Sequence, residues 1–172
     1  SKGYRDVLAA VRLLHARGVP VQATFAGRWE TDQDRAAFER DVAAHGLHDV
    51  VAHLGGVSER ARIKALHLAA DVFLLPSYYP TEAQPLSIIE ALDAGTPVVT
   101  TRHSGIPYMV REGREALFVP PRDPEAIAGA IARLVDAAQW QHLSEGARRR
   151  FEEHFSPEAV RQQWEALLER HA

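Results

Sequence analysis

Short, nearly uninterrupted apolar runs alternate with helix-period segments along this chain. Val7, Leu8, Val11 and Leu14 recur at helical spacing, and Gly18 ends that helix before Pro20. Val21 to Ala26 reads as a strand closed by Gly27. Asp32 to Ala44 is helical, with Phe38 and Val42 on one side and Gly46 as its stop. Val50 to Leu54 is a short strand running into Gly55-Gly56. Ser58 is placed to cap a helix that reaches Ala70, with Ile63, Leu66 and Leu68 as its apolar members. Val72 to Leu75, Pro97 to Thr101 and Ala116 to Val119 follow as strands. From Pro124 the pattern is helical, with Ile127, Ile131, Leu134 and Val135 in one stripe. Two more helices are separated at Ser156-Pro157, a cap followed by a proline suited to a first turn.

Apolar strands separated by helices predict an α/β fold, a Rossmann-like parallel sheet with helices on both faces. The chain opens with a helix, whereas a doubly wound unit opens with a strand that becomes central in its sheet. The expectation is therefore a sheet lacking its first strand, with a gap between the neighbours of that strand and a preceding segment in the intact protein. Residues 1–172 read as a single domain, with the last helices (about 139–171) packing back over it.

Composition narrows the function. With 20 basic and 23 acidic residues there is no basic stripe to bind nucleic acid or attract a membrane surface. The absence of cysteine excludes thiolate metal sites and disulfide scaffolds. No apolar run approaches the ~20 residues that span a bilayer, and no leader-like segment opens the chain, so a cytoplasmic location is expected. His45, His48 and His53 fall on separate elements with no sensible ligand geometry, and His103 reads as a surface or capping residue.

The chemistry concentrates between Pro76 and Thr101. A buried strand ends at Pro76-Ser77, a polar loop carries Glu82, a helix carries Glu90, and Ala94-Gly95 closes it before the next strand. Loop amides and a helix N-terminus at the carboxyl edge of a parallel sheet favour phosphorylated ligands. Glu82 can accept hydrogen bonds from sugar hydroxyls, and Glu90 can hold two vicinal hydroxyls of a ribose. Between them Ala83 to Ser87 offers backbone N–H groups to a diphosphate. Pro85 has none, which leaves Gln84, Leu86 and Ser87 to bind.

An ordered set of segments resembles the donor-binding, C-terminal domain of the retaining GT-B glycosyltransferases of the glycosyltransferase 4 family. Ala70-Asp71-Val72 and Pro76-Ser77 match the family's pattern at the strand, and Glu82 and Pro85-Leu86 match it in the loop. Glu90-Ala91-Leu92, Gly95-Thr96-Pro97-Val98-Val99, Gly105-Ile106-Pro107 and Leu117-Phe118-Val119-Pro120 continue it, ending in Asp123-Pro124-Glu125-Ala126. Upstream, Lys2-Gly3, Phe25-Ala26-Gly27 and Leu54-Gly55-Gly56-Val57 match the ends of earlier strands. Tyr108 departs from the pattern, which has glutamate after Gly-Ile-Pro.

The resemblance implies hexosyl transfer from a nucleoside-diphosphate sugar to an acceptor, with retention and without metal or other cofactor. It places Glu82 on the donor hexose, Glu90 on the ribose, and Lys2 on the leaving diphosphate. Gly27, Gly56 and Val57 then shape the base and ribose pocket, while Arg28, Arg60 and Arg62 read as solvated surface charge. It further implies a missing N-terminal acceptor-binding domain, through which any membrane contact would run, and an isolated fragment that is inactive. Trp140 is expected to pack, and Trp164 to face that other domain. The other readings are a non-catalytic nucleotide-sugar-binding module, or another GT-B enzyme such as an epimerase or phosphorylase.

Overall fold

The computed structural model describes residues 2–170; Ser1, His171 and Ala172, at the ends of the expected domain, lie outside the described residues. The elements run α1 (Tyr4–Ala16), β1 (Ala23–Phe25), α2 (Asp32–Ala44), β2 (Val51–His53), α3 (Arg60–Leu68), β3 (Phe73–Leu75) and α4 (Leu86–Ala94). β4 (Val98–Thr101), α5 (Ile106–Met109), β5 (Ala116–Val119), α6 (Pro124–Arg133), α7 (Ala137–His154) and α8 (Pro157–Glu169) follow.

All strand pairing is parallel. β1 pairs with β2, Ala23 opposite Val51 and Phe25 opposite His53. β4 lies between β3 and β5, with Val98 opposite both Phe73 and Ala116. All four β4 residues are buried, as a parallel strand covered on both faces must be. Successive side chains point to opposite faces, so Val99 joins Leu14, Leu117 and Ile127 on the side of α1 and α6. Val98 joins Ile88, Leu92 and Ile106 on the side of α4.

Among the described residues β1 and β3 do not pair, so the strands form two sheets rather than one. The interruption falls where the opening helix predicts it. A cavity of about 2020 Å³ occupies the gap, lined by Val7 and Val11 of α1, Val21 and Phe25 beside β1, and Val72 and Leu74 beside β3.

Several sequence expectations need correction. The strands predicted over 21–26 and 50–54 shorten to three residues each, because each pairs on one side only. Ser58 does not cap α3: the N-cap is Glu59, which makes no side-chain cap bond. Val135 leaves the stripe, since α6 ends at Arg133 and Val135 is exposed. The short helix α5 was not predicted, having only four residues with a proline in its first turn. Ser156 does cap α8, accepting from the Ala159 amide. α7 packs against α4, whereas α8 contacts α7 and leaves Val160, Trp164, Leu167 and Leu168 exposed. Trp140 packs beside the α6 cluster and donates from Nε1 to the Asp71 carbonyl at 2.7 Å.

Candidate functional site

The carboxyl ends of β3 and β4 build a buried polar knot. Thr100 Oγ1 donates to the Leu75 carbonyl at 2.7 Å, and Thr101 Oγ1 donates to the Ser77 carbonyl. Ser77, wholly buried, donates through Oγ to Glu82 Oε2 at 2.8 Å and accepts from the Tyr79 amide at 3.2 Å. The Glu82 amide donates back to the Tyr79 carbonyl at 3.1 Å. His103, after β4, approaches the same Tyr79 carbonyl at 2.8 Å through Nε2. The loop after β3 is thus tied to the sheet edge at each turn of its path.

Glu82 is 5% exposed, less accessible than a loop acid would be. A buried carboxylate needs a partner charge and further hydrogen bonds. Lys2 supplies the charge, its ammonium 2.9 Å from Oε1 and 2.8 Å from Oε2. The same ammonium stands 5.6 Å from the Tyr79 ring centroid. Lys2 reaches this position because Gly3 takes a left-handed φ of 83° and presses against Pro76, whose carbonyl a Cβ would meet at 2.4 Å. Lys2 and Glu82, named separately in the sequence and eighty residues apart, therefore form one ion pair.

Downstream, Pro85 is the N-cap of α4 and makes no side-chain cap bond. The first-turn N–H groups of Leu86 and Ser87, which have no intrahelical partner, are left without a side-chain cap at a positive helix end. Pro85 is buried, whereas Ala83, Gln84 and Leu86 are exposed. Gly105 seats this loop: its amide donates to the Glu82 carbonyl at 3.1 Å, and a Cβ there would lie 1.7 Å from the Ala83 carbonyl oxygen. Gly105→Ala is expected to push residues 82–85 outward and to weaken ligand binding more than it lowers the melting temperature. Matched calorimetric titrations and thermal melts would check this.

Glu90 sits one turn into α4, half-buried. Burial raises its carboxyl above the ordinary glutamate value, and Arg60 opposes that rise. A carboxylate with a raised pKa is fully charged only above that raised value. Any ligand whose hydroxyls donate to Glu90 should bind best there and weaken as pH falls through it, earlier than for an ordinary glutamate. Ligand phosphates also change charge, at about pH 6, so the Glu90→Gln variant supplies the baseline. The wild-type to variant affinity ratio should shrink on acidification.

Glu90 and Ser87 line the same cavity as Lys2, Gly27, Gly56 and Val57. Arg28 also lines it, its stem laid across Gly56, where a Cβ would come 2.8 Å from Arg28 Cγ. Glu82 joins this group through Lys2, while Ala83, Gln84, Pro85 and Leu86 lie outside the cavity's lining. Sequence reasoning missed Ser77, Thr101 and Tyr79 as builders of the site; the Pro-Ser pair ending a strand was the one available signal. Tyr108, where the sequence departs from pattern, is 85% exposed on α5. Among the described residues no cluster of His, Cys, Asp and Glu has the makings of a metal site, and no helix is long and apolar enough to cross a membrane.

The arrangement brings the Lys2 ammonium, the N-terminus of α4 at Ser87 and the half-buried Glu90 carboxylate to one cavity. Known proteins resemble the chain over nearly its whole length. A Salmonella typhimurium protein provisionally named as the colanic acid biosynthesis glycosyltransferase WcaL is 32% identical, over 98% of this chain and 42% of its own length. Sucrose-phosphate synthase from Thermosynechococcus elongatus superposes with a TM-score of 0.80 at 30% identity, over 97% of this chain and 42% of that one. Anabaena HepE, solved with UDP-glucose, gives 0.83 at 21% identity, over 98% and 45% respectively, a likeness of fold. The chain thus spans less than half the length of these proteins. The family described as glycosyl transferases group 1 matches residues 1–150. By that match this chain belongs to the glycosyl transferases group 1 family.

Proposed function

We propose that the chain is the donor-binding domain of a retaining, metal-independent glycosyltransferase of the glycosyltransferase 4 family, acting in the cytoplasm. The observation that carries this reading is that Lys2, Ser87 and Glu90 line one cavity, which runs along the gap between the two sheets and reaches the carboxyl ends of their strands. The ribose hydroxyls of a nucleoside-diphosphate sugar donate to Glu90. Its diphosphate lies against the α4 N-terminus, where the amides of Gln84, Leu86 and Ser87 and the Lys2 ammonium offset its charge. Gly27, Gly56 and Val57 leave room for the base and ribose. The hexose stands beside Glu82, whose carboxylate is shared with Lys2.

In the reaction the bond from the sugar's anomeric carbon to the diphosphate oxygen breaks. The acceptor oxygen attacks from the same face, and its proton passes to the departing phosphate. Glu82 serves as an electrostatic partner here, because both its oxygens are engaged and it is nearly buried. Lys2 counters the charge that grows on the leaving group. The acceptor site belongs to a second, N-terminal domain, and the exposed face of α8 around Trp164 is a surface for it.

Calorimetric titration with UDP, GDP and ADP and their glucose conjugates tests the reading. One nucleoside diphosphate should bind measurably, with no added metal. The chain by itself should transfer no sugar. Failure of all six ligands to bind would remove the proposal, and turnover by the isolated chain would contradict the need for a second domain.

A further inference from the structure

Lys2 has a long, flexible stem and no preferred position of its own. Its place is set by Glu82, and the terminal torsion of a glutamate is itself soft. Ser77 removes that softness. Its hydroxyl donates to Glu82 Oε2 at 2.8 Å, and the Lys2 ammonium then lies against both oxygens at 2.9 and 2.8 Å. Ser77 is in turn fixed: its amide donates to the Leu75 carbonyl at 2.8 Å, its carbonyl accepts from Thr101, and its Oγ accepts from the Tyr79 amide. Ser77 and Thr101 are both wholly buried, whereas the Lys2 side chain is 55% exposed. A rigid chain of contacts thus runs from the β4 end, through Ser77 and Glu82, to a cation at the cleft.

We propose that Ser77 is a positioning residue of the nucleotide site, acting through Glu82 to place the Lys2 ammonium against the ligand's diphosphate. This rests on the donor-site reading above. Ser77 itself touches no ligand. Its effect on affinity is therefore expressed only while Lys2 is present, which a purely structural serine would not require.

The test is a double-mutant cycle of Ser77→Ala and Lys2→Met, read by calorimetry with whichever of UDP, GDP and ADP binds the wild-type chain tightest. Ser77→Ala is expected to weaken binding roughly 3- to 10-fold in the wild-type background. In the Lys2→Met background the same change should have no further effect. Equal loss in both backgrounds would overturn the proposal. Should Ser77→Ala fail to fold, Ser77→Cys keeps a side chain of the same shape, slightly larger, with a weaker hydrogen-bond donor, and the same two backgrounds decide with the same outcomes. Absence of binding to the wild-type chain would instead remove the donor-site reading on which this proposal stands.

Discussion

Glu90→Ala is expected to weaken nucleoside diphosphates and their sugar conjugates alike, by roughly 100-fold. Two ligand hydroxyls donating to a charged carboxylate are each worth about 1.5–3 kcal/mol, and losing about 3 kcal/mol is a factor of ~100. The loss should not come from unfolding. Burial pushes the Glu90 carboxyl up, which means that its charged form disfavours the folded chain above that raised value. Stability contributed by the protonated form falls as pH rises from the ordinary glutamate value through the raised one. Neutralising the side chain should therefore leave the melting temperature at pH 7 unchanged or slightly higher. Thermal melts beside calorimetry separate the two effects. A variant that loses sugar conjugates but keeps the free diphosphate would move Glu90 from the ribose to the hexose.

The second large effect concerns the gap between the two sheets. The facing edges of β1 and β3 leave a row of backbone groups and an apolar lining that includes Val11, Phe25 and Leu74 without strand cover. Uncovered parallel edges are unfavourable inside a two-faced sheet. An apolar strand supplied ahead of the chain is expected to fill this slot, parallel to both neighbours and ending where Gly3 meets Pro76. Fully burying one Val, Leu or Ile contributes about 1.5–3 kcal/mol. A net gain of about 3 kcal/mol raises the melting temperature of a chain this size by roughly 6–12 °C. Extending the chain at its amino end with a Val- and Ile-rich strand segment should give that rise, and should slow hydrogen exchange at Phe25 and Leu74. No change in either would show that the slot is not a strand site.

How much of this was legible in the sequence follows from the range of each interaction. The alternation of strands and helices was readable because side-chain period is local. Glu82 and Glu90 stood out because loop, helix and strand signals around them agreed over a single stretch. Ser77 did not, since its role depends on Thr101 and on Lys2, which only the fold brings near. The burial of Glu82 was missed for the same reason: a polar loop reads as solvated until the sheet edge closes over it. Ser58 failed as a cap because any serine before a helix fits the local pattern, and the helix begins later, at Arg60.

The most direct test of the central claim is a crystal structure of the chain with the tightest-binding of UDP, GDP and ADP. The account predicts ribose hydroxyls within hydrogen-bond distance of Glu90. It predicts the diphosphate at the Leu86 and Ser87 amides, with the Lys2 ammonium beside it. A nucleotide bound elsewhere on the chain, with Glu90 and the α4 N-terminus unengaged, would contradict it.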